Sequence, residues 1–135
     1  MANQKQIKFT HPGELETDVA SGGMTRLAGV SKGKTGAEGI HLGISTMAPG
    51  SSSTPHYHTN CESAIYVMEG IGLFLTGDDL SERNEIAAGD FIYVPDGAAH
   101  QPVNTSDSEP LVLIVARNTP VELVVELDAA GRASS

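Results

Sequence analysis

The sequence has a single cysteine, no tryptophan and few positively charged residues. The lone Cys61 excludes an intramolecular disulfide and a four-thiolate metal cluster, so metal chemistry would have to come from histidines and carboxylates. Only 8 Lys and Arg stand against 17 Asp and Glu, which gives a formal net charge of −9. Such a surface repels phosphates and anionic lipid headgroups, and we therefore expect neither a nucleic-acid nor a membrane partner.

Long apolar runs are also missing. No stretch approaches the roughly 18 residues that span a bilayer, and the first residues lack the apolar core of a signal peptide. We therefore expect a cytoplasmic protein. A chain of 135 residues with 39% hydrophobic residues is suited to one folded domain with its own core.

What the sequence does contain is a series of short apolar runs separated by Gly and Pro. These runs are rich in β-branched or aromatic residues and have the length of strands: 40–44, 64–68, 71–75, 91–94, 111–116 and 121–127. Turn residues at 69–70 and 77–79 separate neighbouring runs. The pattern predicts an all-β, antiparallel sandwich or closed barrel without a long helix.

The ends of the chain differ from this pattern. Residues 1–23 are polar and contain glycine, which predicts an N-terminal arm that pairs with a neighbouring strand. Residues 128–135 are small and polar, which is typical of a flexible tail. The predicted barrel therefore covers residues 24–127.

Two of the five histidines stand two residues apart. In an extended chain His56 and His58 present both imidazoles to one side, where a nearby carboxylate could complete a facial set of metal ligands. Taken alone, this pair fits two surface histidines flanking Tyr57 equally well.

A second motif favours the metal interpretation. It consists of Gly89, Pro95, Gly97, His100 and Asn104. Together the two stretches resemble the paired motifs of the cupin family. The second motif matches at every specified position, and the first matches from Gly50 to Gly70 except that seven residues, not six, separate Glu62 from Gly70. The resemblance implies a cupin-type double-stranded β-helix, a jelly-roll barrel.

The resemblance also implies a metal site. His56, His58, Glu62 and His100 would converge inside the barrel on one divalent ion, which could be iron, manganese, nickel or zinc. Such groups are costly in an apolar interior unless they bind an ion or a dense hydrogen-bond network. The long gap before Gly70 leaves an alternative, because counting back six residues gives Ser63. In that case Ser63 faces the metal and the site has three His ligands.

Three further residues are of interest. Cys61 and His41 each have two interpretations, and Asn104 has a structural one. Cys61 could approach the site or be a small buried hydrophobic residue. His41 could line the same cavity or be a solvent-facing or hydrogen-bonded core histidine. Asn104 is expected to satisfy backbone groups of a loop.

The family resemblance leaves the function open between two classes. One is a metal-dependent enzyme acting on a small organic molecule, with dioxygenase-, decarboxylase- or isomerase-like chemistry, and the other is a non-catalytic small-molecule-binding or regulatory module. No arginine clamp stands near the motifs, so a polyanionic substrate is not expected. The candidate cavity residues are Tyr66, Met68, Phe74, Phe91 and Tyr93. An apolar outer sheet predicts a homodimer.

Overall fold

The computed structural model describes residues 5–18 and 22–128, and within them the chain is built almost entirely from strands. The predicted tail lies outside the described residues except for residue 128, and so do residues 1–4 and 19–21 of the predicted arm. The strands are β1 (Glu16–Thr17), β2 (Met24–Val30), β3 (His41–Met47), β4 (His56–His58), β5 (Ser63–Glu69), β6 (Ile71–Thr76), β7 (Glu82–Ala87), β8 (Phe91–Val94), β9 (His100–Asn104), β10 (Leu111–Arg117) and β11 (Val124–Glu126). A 3₁₀ turn (Pro12–Glu14) and a one-turn helix α1 (Lys32–Thr35) complete the elements. Neither helical segment of the described chain has the length or apolar character needed to cross a membrane.

The strands form two antiparallel sheets. One has six strands in the order β1-β2-β3-β10-β5-β8, and the other has five in the order β11-β4-β9-β6-β7. The chain passes repeatedly from one sheet to the other, so that most sequence neighbours among the longer strands do not pair. The prediction of an all-β jelly-roll barrel is confirmed.

One such passage occurs at Gly70, between β5 and β6. Gly70 has a φ of +94°, and a Cβ added there would lie 2.4 Å from the carbonyl oxygen of Pro110. Only glycine satisfies both the positive φ and the close approach. The predicted turn at 69–70 is therefore a corner that carries the chain from the six-stranded to the five-stranded sheet.

The apolar runs predicted most of the strands but not all of them. The runs at 40–44, 64–68, 71–75, 91–94 and 111–116 correspond to β3, β5, β6, β8 and β10. The run at 121–127 is a strand only over Val124–Glu126. The runs do not include β2, β7 and β9. Strand β7 gives little apolar signal because it is an edge strand in which three of six residues are charged and only Ile86 is buried.

Alternation along β5 shows how the sequence divides between core and surface. Ser63, Ile65 and Val67 are buried, while Ala64 and Tyr66 between them are exposed. Buried side chains from both sheets form the core: Met24, Met47, Ile65, Val67, Phe74, Ile86, Val94, Leu111 and Leu113.

The outer side of the six-stranded sheet carries a second apolar surface. Strand register aligns two cross-strand rows there, Leu42–Ala116–Ala64–Tyr93 and Ile44–Ile114–Tyr66–Phe91. We call these eight residues the outer apolar face. Phe91 is 82% exposed and Tyr93 is 65% exposed, so the face has no cover within the described chain.

Candidate metal centre

Three histidines meet on the inner side of the five-stranded sheet. Strand β4 supplies His56 and His58, and His100 begins β9 directly opposite His56. One ring nitrogen from each histidine can be chosen so that all three lie within 4.8 Å of one another. The three rings therefore surround one small space inside the barrel.

In each ring, Nδ1 lies close to an oxygen atom. Nδ1 of His56 lies 2.7 Å from the carbonyl oxygen of Thr54, and Nδ1 of His100 lies 2.9 Å from that of Ala98. Nδ1 of His58 lies 2.9 Å from Oε2 of Glu122. Oxygens at these positions favour the tautomer with the proton on Nδ1, which leaves the lone pair on Nε2.

Burial favours the neutral form of His56 and His100. Burial lowers the pKa of His100 to about 3, with neighbouring histidines acting in the same direction. The pKa of His56 is also lowered, again mainly by burial, although its bond to Thr54 opposes the shift. Since a divalent metal binds the neutral imidazole, the three histidines fit such an ion and could hold one.

Packing fixes the third histidine in place. Phe74 of β6 stacks on His100 with ring centroids 5.5 Å apart and an angle of 7° between the planes. A cavity of about 60 Å³ lies between the rings and the core, and its wall includes Ser45, Ser63 and Arg26. This space is large enough for an ion and a few further atoms.

The structure does not bring Glu62 into the group of three histidines. Its side chain is exposed, Oε1 accepts a 2.5 Å hydrogen bond from the Tyr93 hydroxyl, and Oε2 accepts a 3.4 Å bond from Asn118. The reason is strand alternation, because Ser63 begins β5 facing inward and Glu62 therefore faces outward. The structure thus has the arrangement of the alternative in which Ser63 faces the site.

The carboxylate beside the histidines comes instead from Glu122, which sequence reasoning placed in a strand without a role. Arg26 donates to its Oε1 at 2.7 Å, and Arg117 lies 3.4 Å from its Oε2. Burial would raise the pKa of Glu122, but the contacts with His58, Arg26 and Arg117 outweigh it and hold the pKa well below its usual range. Only tertiary structure joins these residues, so no sequence motif could have shown them.

Two arginines lie beside the site, although the sequence showed no arginine clamp near the motifs. Arg26 lies in the wall of the histidine cavity. Its charge is balanced by Glu122 at 2.7 Å and by Asp18 at 3.8 Å. The site is therefore lined by a paired network and not by a free cationic clamp.

The remaining candidates lie outside the group. Cys61 is buried, and burial raises the pKa of its thiol, but it is not part of the three-residue cluster in the described chain. His41 is buried with Nε2 at 3.4 Å from Asp18. Asn104 donates to the carbonyl oxygens of Met47, Ala48 and Glu109, in agreement with a structural role.

The five side chains predicted to line a cavity lie in different places. Of the five candidates, Phe74 lies in the wall of the histidine cavity. Tyr66 and Met68 are exposed on the surface. A larger cavity of about 670 Å³ opens between the edge strands β7 and β8 and shares Phe74 and His100 with the small one. Phe91 and Tyr93 are also exposed, but they line this cavity between β7 and β8 and so agree with the prediction.

Comparison with known families identifies the stretch that contains the histidines. The family profile of the cupin domain matches residues 43–117, which contain all three histidines. The match covers more than half of the 135 residues. The chain belongs to the cupin family.

Among curated proteins, the chain is similar to a plant protein. The chain is 30% identical over 99 residues to auxin-binding protein 1 of Arabidopsis thaliana, covering 69% of this chain and 50% of that protein. It spans about half the length of the curated relatives it matches.

Two solved structures show the fold. The polyketide cyclase RemF of Streptomyces resistomycificus has a TM-score of 0.72 at 22% identity, with 93% of this chain and 90% of that chain covered. A variant of Bacillus subtilis oxalate decarboxylase has a TM-score of 0.68 at 27% identity, with 79% and 29% covered.

Proposed function

We propose that this cupin binds one divalent metal ion on His56, His58 and His100 and is a metal-dependent enzyme acting on a small organic molecule. The observation that carries the proposal is the convergence of the three rings on one buried space. Each has an oxygen at Nδ1, and together they can direct three nitrogens into one buried space. Three imidazoles gathered there are well suited to an ion and poorly suited to a purely apolar core.

Three protein ligands leave further positions of a metal ion open, which is typical of catalytic and not of structural sites. Such an ion supplies Lewis-acid polarisation of a bound oxygen. The chain's own part is to exclude water, since His58 and His100 are buried and Phe74 closes one side of His100.

Cavity size indicates where a substrate would lie. The small cavity of about 60 Å³ admits only the reacting atoms. The neighbouring cavity of about 670 Å³ is within the range of small-molecule sites, and it reaches His100 and Phe74. Its wall is largely apolar, and its charged residues are all acidic: Asp78, Glu85 and Asp90. These features favour an uncharged organic substrate over a polyanion.

The names of similar proteins support small-molecule chemistry without selecting one reaction. One neighbour is a polyketide cyclase and another an oxalate decarboxylase. We keep decarboxylase-, isomerase- and dioxygenase-like reactions as the candidates. A non-catalytic binding module is the second candidate, and the 30% identity to auxin-binding protein 1 favours it.

The proposal is tested by metal loading followed by turnover assays. The apoprotein is loaded separately with iron(II), manganese(II), nickel(II) and zinc(II), and metal content is measured after gel filtration. Each form is then incubated with enolisable diketones, oxalate-like acids and aromatic diols while oxygen uptake and products are followed. We expect about one ion per chain and saturable turnover with one of the metals.

Substitution of the histidines provides the control. His56→Ala, His58→Ala and His100→Ala should each lose most of the metal, because removing one of three ligands loses both a bond and the chelate arrangement. Glu62→Ala should keep it, since its carboxylate lies on the surface. Equal metal content in His100→Ala and the parent would contradict the site, and tight ligand binding without product under any metal would favour the binding module.

A further inference from the structure

The segment that carries Glu122 is held firmly against the histidine strand. It connects β10 and β11 and lies over the residues that follow His58. Thr59 donates its backbone N–H to the carbonyl oxygen of Leu123 at 2.9 Å. The side chain of Asn60 donates to the carbonyl oxygen of Val121 at 2.8 Å and accepts from the N–H of Leu123 at 2.8 Å. Both neighbours of Glu122 are thus fixed to residues adjacent to His58.

The Glu122 carboxylate lies within contact distance of three partners. Oε2 lies 2.9 Å from Nδ1 of His58 and 3.4 Å from Nη1 of Arg117. Oε1 accepts from Arg26 at 2.7 Å. Nδ1 of His58 is buried and makes no well-aligned hydrogen bond in the described chain, Glu122 included. The Glu122 carboxylate, 2.9 Å away, is the acceptor within its reach.

His58 differs from the other two histidines in what stands behind its ring. His56 and His100 face backbone carbonyls two residues away in sequence, at Thr54 and Ala98. His58 faces a charged side chain from a distant part of the chain. An outer carboxylate of this kind fixes the tautomer of a metal-binding histidine, directs its Nε2 and increases its basicity.

We propose that Glu122, and not the motif residue Glu62, supplies the carboxylate of this centre, as a positioning residue that orients His58 toward the ion from behind. This inference rests on the proposed metal site. Arg26 and Arg117 in turn hold the carboxylate in its position, since both guanidinium groups face it.

Glu62 has a different place in this arrangement. Its backbone N–H donates to Oδ1 of Asn118 at 2.9 Å, and the N–H of Asn118 donates to its carbonyl oxygen at 3.4 Å. Asn118 begins the segment that carries Glu122. The backbone of Glu62 therefore anchors that segment, while its carboxylate stays on the surface with Tyr93.

The test compares Glu122→Gln and Glu122→Asp with the matched control Glu62→Gln, using cobalt(II) alone as the probe. Affinity is measured by competition with a chelator, and the ligand geometry by the visible absorption of the bound cobalt. We expect Glu122→Gln to weaken cobalt binding roughly 10- to 100-fold. Glu122→Asp should recover part of this loss because it keeps the charge. Glu62→Gln should match the parent.

A second readout separates positioning from general destabilisation. Nitrogen-15 NMR of the histidine side chains reports the tautomer and the Nδ1–H shift of each ring. In Glu122→Gln the His58 signal should move, while those of His56 and His100, whose partners are backbone carbonyls, should stay. Cobalt affinity and a His58 signal both unchanged in Glu122→Gln would overturn the inference.

Failure of the two proposals can be distinguished. A parent protein that binds no cobalt contradicts the metal site itself. A parent that binds cobalt while Glu122→Gln binds it equally well contradicts only the role of Glu122. Should Glu122→Gln not fold, the parent NMR spectrum decides, because a His58 ring with a bare Nδ1 and a proton on Nε2 would also refute the inference.

Discussion

Gly97 donates its backbone N–H to the carbonyl oxygen of His58 at 2.7 Å. This bond joins the turn before His100 to the strand that carries His56 and His58. The two cupin motifs, which are separate in the sequence, are thereby fixed to each other at the site. Gly97 reaches this position with a φ of +75°.

This relationship predicts a specific effect of Gly97→Ala. An added Cβ would meet no atom within 4 Å, so the cost is conformational and comes from the positive φ. We expect a loss of about 1–2 kcal/mol in the free energy of unfolding, measured by urea denaturation. Gly39→Ala is the matched control, because its Cβ also meets nothing and its φ is not positive. Equal effects of the two substitutions would contradict this explanation.

Asn104 provides a second prediction about stability. It is almost fully buried, and its Nδ2 donates to three carbonyl oxygens at 2.9–3.2 Å. Asn104→Asp removes the donor and places a carboxylate against those oxygens, so we expect a loss of about 3 kcal/mol or more. Asn84→Asp, at an exposed position where the amide donates to Phe74 and Thr76, should cost less than about 1 kcal/mol. Thermal and urea denaturation measure the two losses. A similar loss in the two variants would contradict the explanation by burial.

The pH dependence of the metal-free protein follows from the histidines. The folded pKa of His100 is about 3, below the ordinary value of 6.5, and that of His56 is also lowered. Below pH 6.5 the unfolded chain binds protons that the folded chain excludes, so stability should fall as the pH decreases from 6.5 toward 3. For one such histidine, the free energy of unfolding should fall by at most about 1.4 kcal/mol for each pH unit in this window.

Urea denaturation at several pH values checks this sign. We expect a shallower slope in His100→Gln than in the parent between about pH 5 and 6.5, because one of the histidines with a lowered pKa is gone. A parent whose stability is constant across that window would show that the buried histidines do not resist protonation.

The outer apolar face leads to a proposal about assembly. Its two rows contain no charged side chain, whereas the whole chain carries a net charge of −9. Two copies can therefore approach through this face with the least repulsion, and we propose a homodimer formed there. Phe91→Asp should give a monomer in light scattering at micromolar concentration. Ile71→Asp, on the other sheet and 54% exposed, should leave the dimer intact. A monomeric parent would refute the proposal.

Sequence by itself determined the fold class and the three histidines. Short β-branched runs bounded by Gly and Pro predict strands because their length and alternation are local properties. The spacing of His56 and His58 and the turn before His100 are local as well, and the paired motifs they belong to resemble those of the cupin family.

Tertiary structure alone decided which carboxylate accompanies the histidines. Glu62 is close to His58 in sequence, but alternation into β5 turns it to the surface. Glu122 is distant in sequence and reaches Nδ1 of His58 only because Asn60 fixes the segment around it. Contacts between distant segments depend on how the sheets pack. They therefore cannot be predicted from the periodicity along one strand.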